Sequence, residues 1–316
     1  MRPRTLVLGD DRLAALSWGE EGAPTWVALH GWLDNAATFS RLAPALVTAL
    51  GIRLVALDLP GHGHSPHRGA RADYPLWGYV PDVLDALDVL DLRATTLVGH
   101  SMGAGVATLI AAAAPERVGR LVLIDGLAST TSEPDETVAQ LQAALRARRR
   151  PPPPHSAGRN AGRSAGRRAG DSAERSASGG YASIDDAVAA RVRGGVTRID
   201  ADTARPIVER NLVSCEDGRY HWRTDRRLVQ PSLLRWTSAQ MLATVAAIRA
   251  PVLLLQATGG VLNERPYLGE ACRRIDRLER RIVSGGHHLH LERVRVAQVT
   301  SEIVRWHQSI TGESLS

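Results

Sequence analysis

The sequence predicts an α/β protein: a doubly wound, mostly parallel sheet with an inserted, mainly helical cap. Three observations carry this reading. Short apolar strands alternate with helix-period segments over residues 1–128; the rhythm stops over 129–250; it resumes over 251–316. Alternation of strand and helix builds a parallel sheet covered on both faces, and an interruption from which the same rhythm recovers reads as a cap. The division is therefore a first core part at 1–128, a cap at 129–250 and a second core part at 251–316.

TLVL and LAAL, either side of Gly9-Asp10-Asp11, read as two strands of a hairpin. TWVALHG (25–31), RLVALDLPG (53–61), TTLVGHSMG (95–103) and RLVLIDG (120–126) are apolar at successive positions, as strands buried on both faces must be. FSRLAPALVTAL, YVPDVLDALDVLDL and MGAGVATLIAAAA supply the intervening helices. In the cap, TVAQLQAALRARRR (137–150) has helical spacing, Ser183 is placed to N-cap SIDDAVAARV, CEDGRYHW suggests a small hairpin around Asp217-Gly218, and SAQMLATVAAIRA is a helix. PVLLLQATGG and RRIVSGG return as strands, with PYLGEACRRIDRL between them and RVRVAQVTSEIVRWHQSI after them as helices.

The net charge of +6 is local. Residues 146–175 carry nine arginines against Asp171 and Glu174, more than the surplus of the whole chain, so the remainder is near neutral. The Pro-, Gly-, Ser- and Arg-rich stretch 150–180 has too little apolar surface to offset chain entropy and is expected to be disordered. It has no aromatic side chains on which bases could stack before Tyr181, so no specific nucleic-acid partner is expected. The chain has no lysine, which excludes a Walker A loop and a pyridoxal Schiff base and fits a GC-rich genome. Cys215 and Cys272 form no metal-ligand spacing, no apolar run is long enough to span a membrane, and the first residues lack a signal-peptide pattern. A cytoplasmic protein with reduced thiols, no membrane partner, no cofactor and no metal is expected.

Gly99-His100-Ser101-Met102-Gly103 is a G-x-S-x-G between an apolar strand and a helix of small residues. That context is a nucleophile elbow, a tight turn that lifts the serine above the sheet edge. The dinucleotide fingerprint fails, because Gly103 and Gly105 are followed by Thr108. A serine hydroxyl needs a base at the same edge. GGHHLH offers His287, the first residue after the glycines that end a strand, with His288 as the alternative; its spacing is not that of a zinc helix. The oxyanion formed in acyl transfer needs two N–H donors, assigned to Met102 after the nucleophile and Trp32 after His30-Gly31. His30 reads as a structural loop histidine and Asp34 as a residue that orders its loop. Trp32, Trp77, Trp222 and Trp236 are candidates for the pocket wall.

HGWLDN (30–35), DLPGHGHS (58–65), GHSMGAG (99–105) and GGHHLHLE (285–292), in this order, resemble the α/β-hydrolase superfamily over 1–128 and 251–316. HGWLDNAATF, YHWRTDRRLVQPSLLRWT and HHLHLE resemble more narrowly the serine hydrolase-like family, a likeness that also takes in the second half of the cap, from about residue 181, but not 150–180. The resemblance implies a doubly wound sheet, a Ser–acid–His triad, a cap over the pocket and no cofactor, and it says little of the substrate; a small-molecule acyl substrate is the expectation from the serine site. Superfamily members most often carry the acid after the strand that follows the cap, but here that loop offers only Gly259 and Gly260. Other members carry it at the end of the strand after the nucleophile helix, and here that residue is Asp125; Glu264 is the rival. The expected activity is hydrolysis of a carboxylic ester by Ser101, His287 and Asp125. The alternatives are C–C bond hydrolysis with the same triad and a catalytically silent fold used for binding.

Overall fold

The computed structural model describes residues 1–10, 13–149, 180–195 and 197–312. Except for Gly180, the expected disordered stretch lies outside them. Ten strands occur among the described residues: β1 (Arg4–Leu8), β2 (Leu13–Trp18), β3 (Thr25–Leu29), β4 (Arg53–Leu57), β5 (Thr95–His100), β6 (Val118–Ile124), β7 (Leu212–Ser214), β8 (Tyr220–Trp222), β9 (Val252–Gly259) and β10 (Leu278–Gly286). Eight form one sheet in the order β1-β2-β4-β3-β5-β6-β9-β10. β2 runs antiparallel to both neighbours, and every other pairing is parallel. The doubly wound sheet is therefore as expected, with the hairpin at its edge.

The nine α-helices described are α1 (Leu42–Leu50), α2 (Tyr79–Val89), α3 (Met102–Ala113), α4 (Thr137–Arg148), α5 (Ile184–Gly194), α6 (Ala201–Asn211), α7 (Ser238–Ala246), α8 (Leu268–Arg274) and α9 (Val296–Thr311). Successive strand residues point to opposite faces. Val27, Leu29, Leu97, Leu121 and Leu254 pack under α2, α3, α7 and α8. Ala28, Val98, Val122, Leu253 and Leu255 pack under α1 and α9 with Trp306. This is why the strand segments carry no polar alternation.

The cap segment departs from the expectation at its C-terminal end. Met241, Leu242 and Val245 of α7 are buried in the core cluster with the sheet, so this helix, which the sequence rhythm assigns to the cap, serves the core. The cap proper has its own cluster, Tyr181, Ala187, Val188, Ala204, Ile207, Val208 and Leu212, with Leu291 from the core. Ser183 caps α5, accepting from Asp186 N, and β7 pairs with β8 as the small hairpin. α6 has no counterpart among the helices read from the sequence, because Pro206 lies inside it. Asp200 starts it by accepting from Thr203 N.

α6 is tied to the core by one buried ion pair. Arg210 Nη2 lies 2.7 Å from Asp58 Oδ2, and its Nε lies 3.0 and 3.2 Å from the two carboxylate oxygens. Asp58, at the end of β4, is fully buried and also accepts from Ala36 N at 2.7 Å and His64 N at 2.8 Å. Asn35 Nδ2 adds a bond to Ile207 O at 2.8 Å. No described helix is long and apolar enough to cross a membrane. Arg210→Met should leave the Asp58 charge buried without its counterion and destabilise the protein by about 3 kcal/mol. Urea unfolding would read this, and an unchanged midpoint would show the pair to be energetically neutral.

Candidate active site

The elbow is built by atoms that are missing. A Cβ on Gly99 would lie 2.5 Å from Ala104 Cα, and one on Gly103 would lie 2.1 Å from Leu29 O. Their absence lets α3 start directly against the ends of β3 and β5. Ser101 sits between, with φ 51° and ψ −113°, a region that a residue with a Cβ adopts only under constraint. Four described non-glycine residues have positive φ, and three of them, Leu33 (63°), Ser101 (51°) and Asp125 (42°), lie in the three loops that end β3, β5 and β6. Strain of this kind concentrates where side chains are held for chemistry.

Asp125 and His287 meet directly. His287 Nδ1 lies 2.6 Å from Asp125 Oδ2. The carboxylate is fully buried and also accepts from Val261 N at 2.8 Å and Ala257 N at 3.2 Å. The loop that lacks an acid is thus the loop whose backbone holds one. A Cβ on Gly260 would lie 2.1 Å from Asp125 Oδ2 and 2.2 Å from Oδ1, so the glycine is the space the carboxylate fills. The register Ile124↔Leu255 brings the ends of β6 and β9 level, and Gly126 has no room for a Cβ against Ser101 O at 2.5 Å. Glu264 is exposed on the 3-10 turn Val261–Glu264.

His287 is almost fully buried, and this desolvation moves its pKa below the ordinary histidine value; the hydrogen bond it donates to Asp125 opposes the shift. His288 is engaged elsewhere, its Nε2 lying 2.9 Å from Asp34 Oδ2. Burial alone would raise the Asp34 pKa, but the charge and hydrogen bond of His288 outweigh it and hold the carboxyl well below the usual range. His30 is used up structurally: Leu59 N donates to its Nε2 at 3.0 Å, which leaves Nδ1 to donate to Gly31 O at 2.7 Å. His100 is the residue the sequence reasoning passed over as the variable position of the G-x-S-x-G. Its Nε2 lies 2.9 Å from His287 O, and its ring centroid 4.6 Å from that of His287.

Met102 is the first residue of α3, so its N–H has no partner within the helix. A Cβ on Gly103 would also lie 2.7 Å from His30 O, which places the start of α3 beside the loop that carries Trp32. The Trp32 indole is turned to the cap, donating to Leu228 O at 2.9 Å. Trp77 and Trp236 stack with centroids 6.1 Å apart, and Trp222 bonds Tyr181 Oη at 3.2 Å.

Gly260→Ala should push the Asp125 carboxylate away from His287. Fluorophosphonate labelling of Ser101 is then expected to slow by at least about a hundredfold, within the roughly 10⁴-fold ceiling for losing the orienting acid. Glu264→Gln should label at the wild-type rate. The reverse pattern would move the acid to Glu264.

The model of the alpha/beta hydrolase fold family matches residues 24–294. A serine hydrolase-like protein of Dictyostelium discoideum is 30% identical over 294 residues, covering 89% of this chain and 74% of that one. The crystal structure of a hypothetical protein from Pseudomonas aeruginosa PAO1 is 38% identical, with a TM-score of 0.80 over 97% of this chain and 99% of its own. An esterase from Mycobacterium tuberculosis, 22% identical, shares the fold with a TM-score of 0.65 over 99% of this chain and 92% of its own. These similarities run through both halves of the sheet and the segment between them, and the chain belongs to the alpha/beta hydrolase family, as a hydrolase similar to its serine hydrolase-like members.

Proposed function

We propose that the protein hydrolyses a small carboxylic ester or related acyl compound through an acyl-enzyme on Ser101. The observation that carries this reading is the 2.6 Å bond between Asp125 and His287 at the sheet edge where the strained Ser101 sits. Asp125 accepts from Nδ1, which leaves the Nε2 lone pair free to act as base. His287 Nε2 takes the Ser101 proton as Oγ attacks the acyl carbon. The oxygen's developing charge is met by the Met102 and Trp32 N–H groups. The imidazolium then protonates the leaving alkoxide, the C–O bond breaks, and the alcohol departs. Water, deprotonated by His287, attacks the acyl-enzyme in the second half, and the proton returns to Ser101 as the acid leaves.

A silent fold draws its support from the loop that carries no acid, and the fit of the Asp125 carboxylate over Gly260 weighs against it. Intact-mass labelling with a fluorophosphonate tests the serine: wild type should gain one adduct and Ser101→Ala none. Wild type should also turn over p-nitrophenyl butyrate, with Asp125→Asn slower by roughly 10⁴-fold. A wild-type protein that neither labels nor turns over would refute the reading.

The pH dependence has a definite sign. Protonated His287 cannot act as base, so kcat/KM should fall as pH drops through the His287 pKa and be flat above it. Because burial lowers that pKa, the midpoint is expected below the ordinary value of 6.5. A midpoint clearly above 6.5 in the kcat/KM profile of the free enzyme would contradict the assignment.

A further inference from the structure

Beside the dyad lies a second set of buried polar groups that the hydrolytic steps leave unused. Asp34, His100 and His288 are each at most 2% exposed. One ligand atom from each, a carboxylate oxygen and two ring nitrogens, lies within 4.8 Å of the other two. They come from the loop after β3, the end of β5 and the loop after β10, so no sequence spacing announces them.

The hydrogen-bond pattern among them is incomplete. His100 Nε2 faces the carbonyl oxygen of His287 at 2.9 Å, and a carbonyl can only accept, so the proton is on Nε2. In the neutral ring this leaves the lone pair on Nδ1. Nδ1 has no hydrogen-bond partner and lies 3.7 Å from Asp34 Oδ2, itself an acceptor. Asp34 Oδ1 is also without a hydrogen-bond partner, with Arg191 Nη2 3.9 Å away. Two acceptors facing one another in a dry interior repel unless a proton or cation lies between them. A glycine borders the gap: a Cβ on Gly31 would lie 3.0 Å from His100 Nδ1 and 3.2 Å from Asp34 Oδ2.

We propose that Asp34, His100 and His288 form a buried binding site for a divalent transition-metal ion such as zinc. Two imidazoles and a carboxylate suit zinc, cobalt, nickel or copper better than calcium or magnesium, which favour oxygen ligands. Metal–ligand bonds of about 2.0–2.1 Å in a tetrahedron separate the ligand atoms by roughly 3.3 Å. The two separations from Asp34 Oδ2, 2.9 and 3.7 Å, straddle that value, and the two imidazole nitrogens lie within 4.8 Å of each other. His100 already has the outer-shell arrangement of a metal ligand, its second N–H bonded to a backbone carbonyl. Coordination through His288 Nε2 requires that nitrogen's lone pair. Its proton must therefore be released to solvent when the ion binds. The bound ion would join the loops that end β3, β5 and β10.

The test uses the full chain, stripped with chelator and titrated calorimetrically with zinc alone. One ion per chain is expected, with affinity reduced at least about tenfold in Asp34→Asn and in His288→Gln. His64→Gln and His221→Gln, which alter imidazoles away from the cluster, should bind as wild type does. Because a buried substitution can impair folding, the wild-type protein is also crystallised with zinc and its anomalous signal mapped at the zinc edge. A peak among Asp34, His100 and His288 supports the site. The absence of stoichiometric binding, a signal only at surface histidines, or full affinity in both folded cluster variants would overturn it.

Discussion

Asp125 is fully buried, and its carboxylate takes two backbone N–H groups and one imidazole in the space that a side chain on residue 260 would occupy. Most of the candidate site follows from this placement. An uncompensated carboxylate could not stay there, so the end of β9 must present Ala257 N and the loop after it Val261 N, and β9 must keep level with β6. The imidazole is then fixed in orientation through its Nδ1. One loop supplies charge, and the other supplies a cage of donors and the absence of a side chain.

The elbow is the complementary constraint. The absent Cβ atoms at Gly99, Gly103 and Gly126 let one helix start, three strand ends and a strained serine share a volume that ordinary residues could not. The same close approach sets the Met102 amide next to the loop of Trp32. The hydrophobic effect holds these parts together through two core clusters, one on each face of the sheet. The site's precision comes from backbone contacts at one edge.

Much of this is legible in the sequence. Apolar runs over 25–31, 53–61, 95–103 and 120–126 name central strands, and G-x-S-x-G in a strand–helix context names the serine. Asp125 can be read as the acid because a right-handed crossover sets its strand beside that of the serine. Other features are hidden for physical reasons. Pro206 disguises α6, since a proline in the interior breaks a helical pattern. The core role of α7 depends on which surface its apolar stripe meets, and periodicity does not reveal a partner. His100 occupies a position where the motif tolerates any residue, so its grip on the His287 carbonyl has no local sign. Arg210 and Asp58 are separated by 152 residues, and Asp34 and His288 by 254.

The Arg210–Asp58 pair has a bearing on motion. Raising α6 from the sheet would part the guanidinium from a carboxylate that also anchors Ala36 and His64, and would break the Asn35–Ile207 bond as well. An opening that costs about 3 kcal/mol or more leaves the lifted form below roughly 1% of molecules. On this side the cap is latched rather than hinged. α4, by contrast, leaves Val138 and Leu145 exposed, and Trp77 of the Trp77–Trp236 stack is 42% exposed.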